Sequence, residues 1–63
     1  MSWSEAYRKA LRDIMNNKTD DLAVGSAQDF ADYRYRVGTI EGLALAEREF
    51  LDIMERIERA EDA

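Results

Sequence analysis

Apolar residues recur along this chain at helical spacing, with one interruption. Trp3, Tyr7, Ala10, Leu11, Ile14 and Met15 form one stripe of a 3.6-residue period, and Arg8, Lys9, Arg12 and Asp13 fall off it. Ser2 stands three residues before Glu5, the spacing at which a serine hydroxyl and an acidic side chain cap a helix start reciprocally. The pattern predicts a first helix over about Trp3 to Met15. It lapses across NNKTDDLAVG, Asn16 to Gly25, where Asn, Thr and Asp side chains compete for backbone hydrogen bonds and favour turns. Leu22 and Val24 are the apolar exceptions, expected to tuck this loop against the helices. Ser26 and Asp29 repeat the cap spacing, and helical periodicity then runs from Ala27 to about Glu61. Pairs four apart, Asp32–Arg36, Asp52–Arg56 and Glu55–Arg59, support it by a few tenths of a kcal/mol each. The expectation is an all-α chain in one small domain, residues 1–63: a helical hairpin with a short first arm and a long second arm. At 1.5 Å per residue the arms would measure roughly 20 and 50 Å, too unequal for the first to cover the second. The hairpin is therefore expected to be oligomeric or docked on a larger protein.

The second arm carries more than one apolar surface. With Phe30 at zero and about 100° per residue, Phe30, Tyr33, Val37, Ile40, Ala44 and Leu51 fall within about 280–360°, a clean stripe. Leu43, Phe50, Met54 and Ile57 fall near 180–240°, so the apolar face widens and rotates toward the C-terminal half. Ala31, Gly38, Gly42, Ala46 and Ile53 form a third, mostly small strip near 80–160°. Arg34, Glu41, Arg48, Asp52 and Arg59 mark the wet side. Two glycines inside a helix cost about 1 kcal/mol each against alanine. Four apart, they clear one face so that another helix can approach closely, as membrane helices do. The other reading is that Gly38 or Gly42 bends or breaks the helix.

Composition narrows the chemistry. The chain has no Cys and no His, which removes disulfides, thiolate metal sites, most zinc sites and the usual general base. Ser2 and Ser26 read as caps, Lys9 and Lys18 lie in polar surroundings, and no phosphate-cradling glycine motif or calcium-loop spacing occurs. The expectation is a non-enzyme with no catalytic residues, no metal site and no cofactor. The net charge is −5 and unevenly spread. Residues 1–18 carry four basic and two acidic groups, net +2, whereas residues 40–63 carry three basic and eight acidic groups, net −5. That balance disfavours nucleic acid and anionic lipid. YRYR, Tyr33 to Arg36, invites a nucleic-acid reading through stacking and phosphate contacts. Against it, Tyr33 belongs to the apolar stripe, Tyr35 to the small-residue side, and Arg36 has Asp32 one turn back. No stretch has the roughly 20 apolar residues that span a bilayer, and the start has no signal-like apolar run. A soluble protein of the cytoplasm, or one delivered there, is expected.

One polar residue is out of place. Glu47 lies near 260°, between Ile40 and Met54 on the apolar face. A buried carboxylate requires a charged or hydrogen-bonding partner. Arg36, Arg8, Arg12 or another chain are the candidates, unless Glu47 lies past the first helix and is simply exposed. The candidate interaction residues are Tyr33, Tyr35, Arg36, Gly38, Gly42, Ala46, Glu47, Phe50, Ile53, Met54 and Ile57.

The run DFADYRYRVGTIEGLALAEREFLDIMERIE, Asp29 to Glu58, resembles small uncharacterised proteins of tailed bacteriophages. The likeness rests on a Tyr-Arg pair, a Val-Gly-x-Ile-x-Gly-Leu segment and an acidic amphipathic helix, and covers about half the chain. It implies a small phage-encoded protein made with the head and tail assembly genes, located in the virion or the host cytoplasm. The expected function is a structural or assembly accessory component whose partners are itself, a larger phage structural protein, or both. The alternative is a small acidic inhibitor or regulator that binds a host protein. Fixed stoichiometry in purified particles separates the first from the second.

Overall fold

The computed structural model describes residues 2–62, and they form two helices: α1, Trp3–Ala23, and α2, Phe30–Asp62. The helices run antiparallel as a hairpin. The Ser2 hydroxyl accepts the Glu5 N–H at 3.3 Å, so the first cap stands where the spacing places it. At α2, however, the cap lies three residues beyond Ser26. Asp29 Oδ1 accepts the Asp32 N–H at 2.8 Å, and Asp32 Oδ2 accepts the Gln28 N–H at 3.0 Å. Ser26 instead donates its hydroxyl to the Asp21 carbonyl at 2.6 Å and accepts Arg36 Nη1 at 2.6 Å, which ties the turn to both helices.

The first helix does not stop at Met15 but continues to Ala23, and the connection shrinks from Asn16–Gly25 to residues 24–29. Two causes outweigh the turn-forming residues. Thr19 Oγ1 bonds back to the Met15 carbonyl at 2.8 Å, so its hydroxyl stays within the helix instead of opening a turn. Leu22 lies seven residues past Met15, on the stripe of Leu11 and Met15, and is half-buried. The stop comes at Gly25, whose φ of +80° is the left-handed conformation that glycine adopts freely. Gly25 N–H bonds the Leu22 carbonyl at 3.1 Å and Ser26 N–H the Asp21 carbonyl at 3.3 Å, a Schellman ending. With 21 and 33 residues, α2 outruns α1 by roughly 18 Å rather than 30 Å.

The α2 helix is continuous through Gly38 and Gly42, which rules out a break at either. The residues it presents to α1 overlap the clean apolar stripe only in part. Asp32, Arg36, Ile40, Leu43, Glu47, Phe50 and Met54, spaced by four or three, form the buried and half-buried seam, and Val37 and Thr39 are half-buried on either side of it. Phe30, Tyr33 and Leu51 remain exposed beside them. The seam contains three charged residues, so its pattern is hidden in hydropathy. Each charge is answered locally: Arg36 bonds Asp32 Oδ1 at 3.2 Å, and Arg12 of α1 bonds Glu47.

The core is small. Leu11 and Met15 are the only buried apolar side chains among the described residues, and none is wholly enclosed. The molecule measures 51 × 21 × 12 Å. Its least dimension is about one helix diameter, so the hairpin is a single layer.

Candidate functional site: a two-helix apolar face

Two aromatic contacts define which side of the layer each helix shows. The rings of Trp3 and Tyr7 lie 6.3 and 5.3 Å from that of Phe50. Arg12 meets Glu47 on the opposite side of the seam. At about 100° per residue, the Trp3 side of the layer then carries Trp3, Tyr7, Ala10 and Ile14 from α1. From α2 it carries Tyr35, Gly42, Ala46, Ile53 and Ile57, with Gly38 at its edge. Trp3, Tyr7, Ile14, Ile53 and Ile57 are between 44% and 74% exposed. Apolar side chains on two adjacent helices thus form one contiguous wet surface, of the kind that marks an interface.

The structure divides the sequence-derived candidates among three places. Arg36, Glu47, Phe50 and Met54 line the seam. Tyr35, Gly42, Ala46, Ile53 and Ile57 belong to the open face, with Gly38 beside it. Tyr33 lies on the other side of the layer, its ring stacked on Phe30 at 6.4 Å. Sequence reasoning left Trp3, Tyr7 and Ile14 out of the interaction set. Their signal was present: the first helix has apolar residues in two neighbouring columns, and one column suffices for the seam.

The glycines meet no neighbour within the hairpin. A Cβ built on Gly38 or Gly42 has nothing within 4 Å. Close packing of α1 on α2 is therefore not what the glycines serve.

Glu47 is 7% exposed, so it is not a solvated residue beyond α1. Arg12 bonds its Oε1, while Oε2 is buried without a hydrogen-bond partner. The Arg12 side chain is half exposed. At the loop end, the Gln28 N–H, and then the Arg36 guanidinium, hold the Asp32 carboxyl below the usual aspartate range, against a smaller opposing effect of burial. An open cleft of about 290 Å³ lies there, lined by Lys18, Asp21, Asp32, Tyr35, Arg36 and Thr39. Two of its four charged groups, Asp32 and Arg36, are already paired with each other. Among the described residues no group of three or more carboxylates is placed to hold a metal ion, and no helix is long and apolar enough to cross a membrane.

No protein-family model matches the chain, and comparison with curated proteins and with solved structures likewise returns no match. What fold and face define is a class: a single-layer helical hairpin with an exposed apolar face that spans both helices.

Proposed function

We propose that this chain is a non-enzymatic protein–protein interaction module, a small structural or assembly component of a tailed-phage particle. The observation that carries the reading is the apolar face of Trp3, Tyr7, Ile14, Ile53 and Ile57, exposed across both helices of a layer 12 Å thick. Helical faces of this kind bind by inserting side chains at helical spacing into a complementary surface. The likeness of Asp29–Glu58 to small phage proteins supports particle assembly as the setting and the virion as the location. Quantitative mass spectrometry of purified particles tests it. A structural component appears at a fixed number of copies per particle, and Ile53→Arg, which charges the face, is excluded from particles. A chain found only in infected-cell lysate overturns the structural role.

A further inference from the structure

We infer that the occupant of the apolar face is a second copy of this chain, and that two hairpins close into an antiparallel four-helix bundle. The inference rests on the face being a protein-docking surface, and it names the partner and the arrangement.

The area fits. A compact monomer of 7.3 kDa exposes about 4,200 Å². This chain exposes 5108 Å², an excess of about 900 Å². A standard interface buries about 800 Å² per partner. Stacking a second layer on the first also turns a one-layer molecule into the two-layer architecture that domains require.

The level of the contacts fits too. Trp3 and Tyr7 stand beside Phe50, and Arg12 beside Glu47, so Ile14 of α1 is level with Gly42 of α2. A two-fold axis along the helices keeps every residue at its own level and lays α1 of one copy over α2 of the other. Ile14 of the second copy then meets Gly42, where space is open. Trp3 of the second copy covers Ile53 and Ile57. Ile14 falls on the open position of the facing helix, Trp3 packs on two exposed isoleucines, and Gly42 gains the close approach that the hairpin alone does not use.

The charge fits in the same arrangement. Residues 1–18, net +2, lie over residues 40–63 of the other copy, net −5. Docking α2 on α2 side by side in parallel would set two acidic segments against each other. The other side of the layer has the exposed Phe30–Leu51 stripe on α2 but Arg8 and Arg12 on α1, so its apolar surface does not span both helices.

Sedimentation equilibrium on the unmodified chain tests the partner. The expected mass is twice 7.3 kDa at micromolar concentration, falling toward one chain for Ile53→Arg but not for Phe30→Arg on the other side. The arrangement is tested by cross-linking, which the absence of native cysteine makes specific. Ile14→Cys and Gly42→Cys variants, mixed and treated with a short thiol-reactive linker, should give several-fold more covalent dimer than either variant alone. Helical circular dichroism before linking confirms that each variant folds. A folded monomer at every concentration overturns the inference. So does Gly42→Cys linking to itself as completely as the mixture, which would mean α2 packs on α2. A monomer still present at fixed stoichiometry in particles would sink the dimer alone and leave the docking function standing.

Discussion

Glu47 occupies an apolar seam with one oxygen bonded to Arg12 and the other unsatisfied. Removing one member of such a pair and removing both have different consequences. Arg12→Ala strands the carboxylate and should cost about 2 kcal/mol, less than the roughly 3–5 kcal/mol of a fully buried pair because Arg12 is half exposed. Glu47→Met, similar in volume and free of charge, should be neutral or stabilising. In the Glu47→Met background, Arg12→Ala should cost little, and urea titrations of the four chains measure that coupling. Equal losses for Arg12→Ala in both backgrounds would show that the pair contributes nothing. Asp32 is the other residue with a directional consequence. Its folded carboxyl titrates below the ordinary aspartate value of about 3.9, so its stabilisation is complete above that value. It is lost as pH falls through the folded value. Asp32→Asn should therefore lower the melting temperature at pH 7, and by less the further pH falls below the ordinary aspartate value, as thermal scans over an acid series would report.

The helices owe their ends to single side chains and their extent to each other. Asp29 caps α2, and Asp29→Ala should cost about 1 kcal/mol. Ser26→Ala at the position that sequence spacing favours should leave the helix start in place, because its hydroxyl bonds Asp21 and Arg36 instead. Hydrogen exchange at the amides of residues 30–34 distinguishes the two. The last two turns of α1 include the half-buried contact surface of Leu22. Leu22→Ala should expose part of that contact, cost about 1–2 kcal/mol and raise exchange across residues 16–23. Gly38 tests the open edge. With nothing within 4 Å of an added Cβ, Gly38→Ala should stabilise the chain by up to about 1 kcal/mol through helix propensity. A lower denaturation midpoint for Gly38→Ala would reveal a helix seated there.

At the scale of the molecule, the quantity that matters is how little of the chain is enclosed. Two buried apolar side chains in one helix-thick layer make a small core, and the proposed dimer ties its stability to protein concentration. The melting temperature should rise with protein concentration, and the dependence should disappear in Ile53→Arg. A melting temperature constant over a hundredfold concentration range would show that the single layer is sufficient by itself.

Much of this architecture is written in local pattern. Helical period, the Ser2 cap and the turn-forming residues before Gly25 lead to two helices joined by one connection. The inequality of the arms was legible, and so were the position of Glu47 on an apolar face and Arg12 among its candidate partners. Three features depended on the tertiary fold. The Asn16–Ala23 segment is helical despite its turn-forming residues, with Thr19 bonded back to the Met15 carbonyl and Leu22 half-buried on the stripe of Leu11 and Met15. The seam of α2 runs through Asp32, Arg36 and Glu47 because their partners lie on another turn or another helix, so hydropathy ranked a neighbouring stripe above it. Trp3, Tyr7 and Ile14 became a surface only when α1 spent its other column, Leu11 and Met15, on α2. A periodic pattern states which residues share a face, and the packing of the second helix decides which of those faces is left to water.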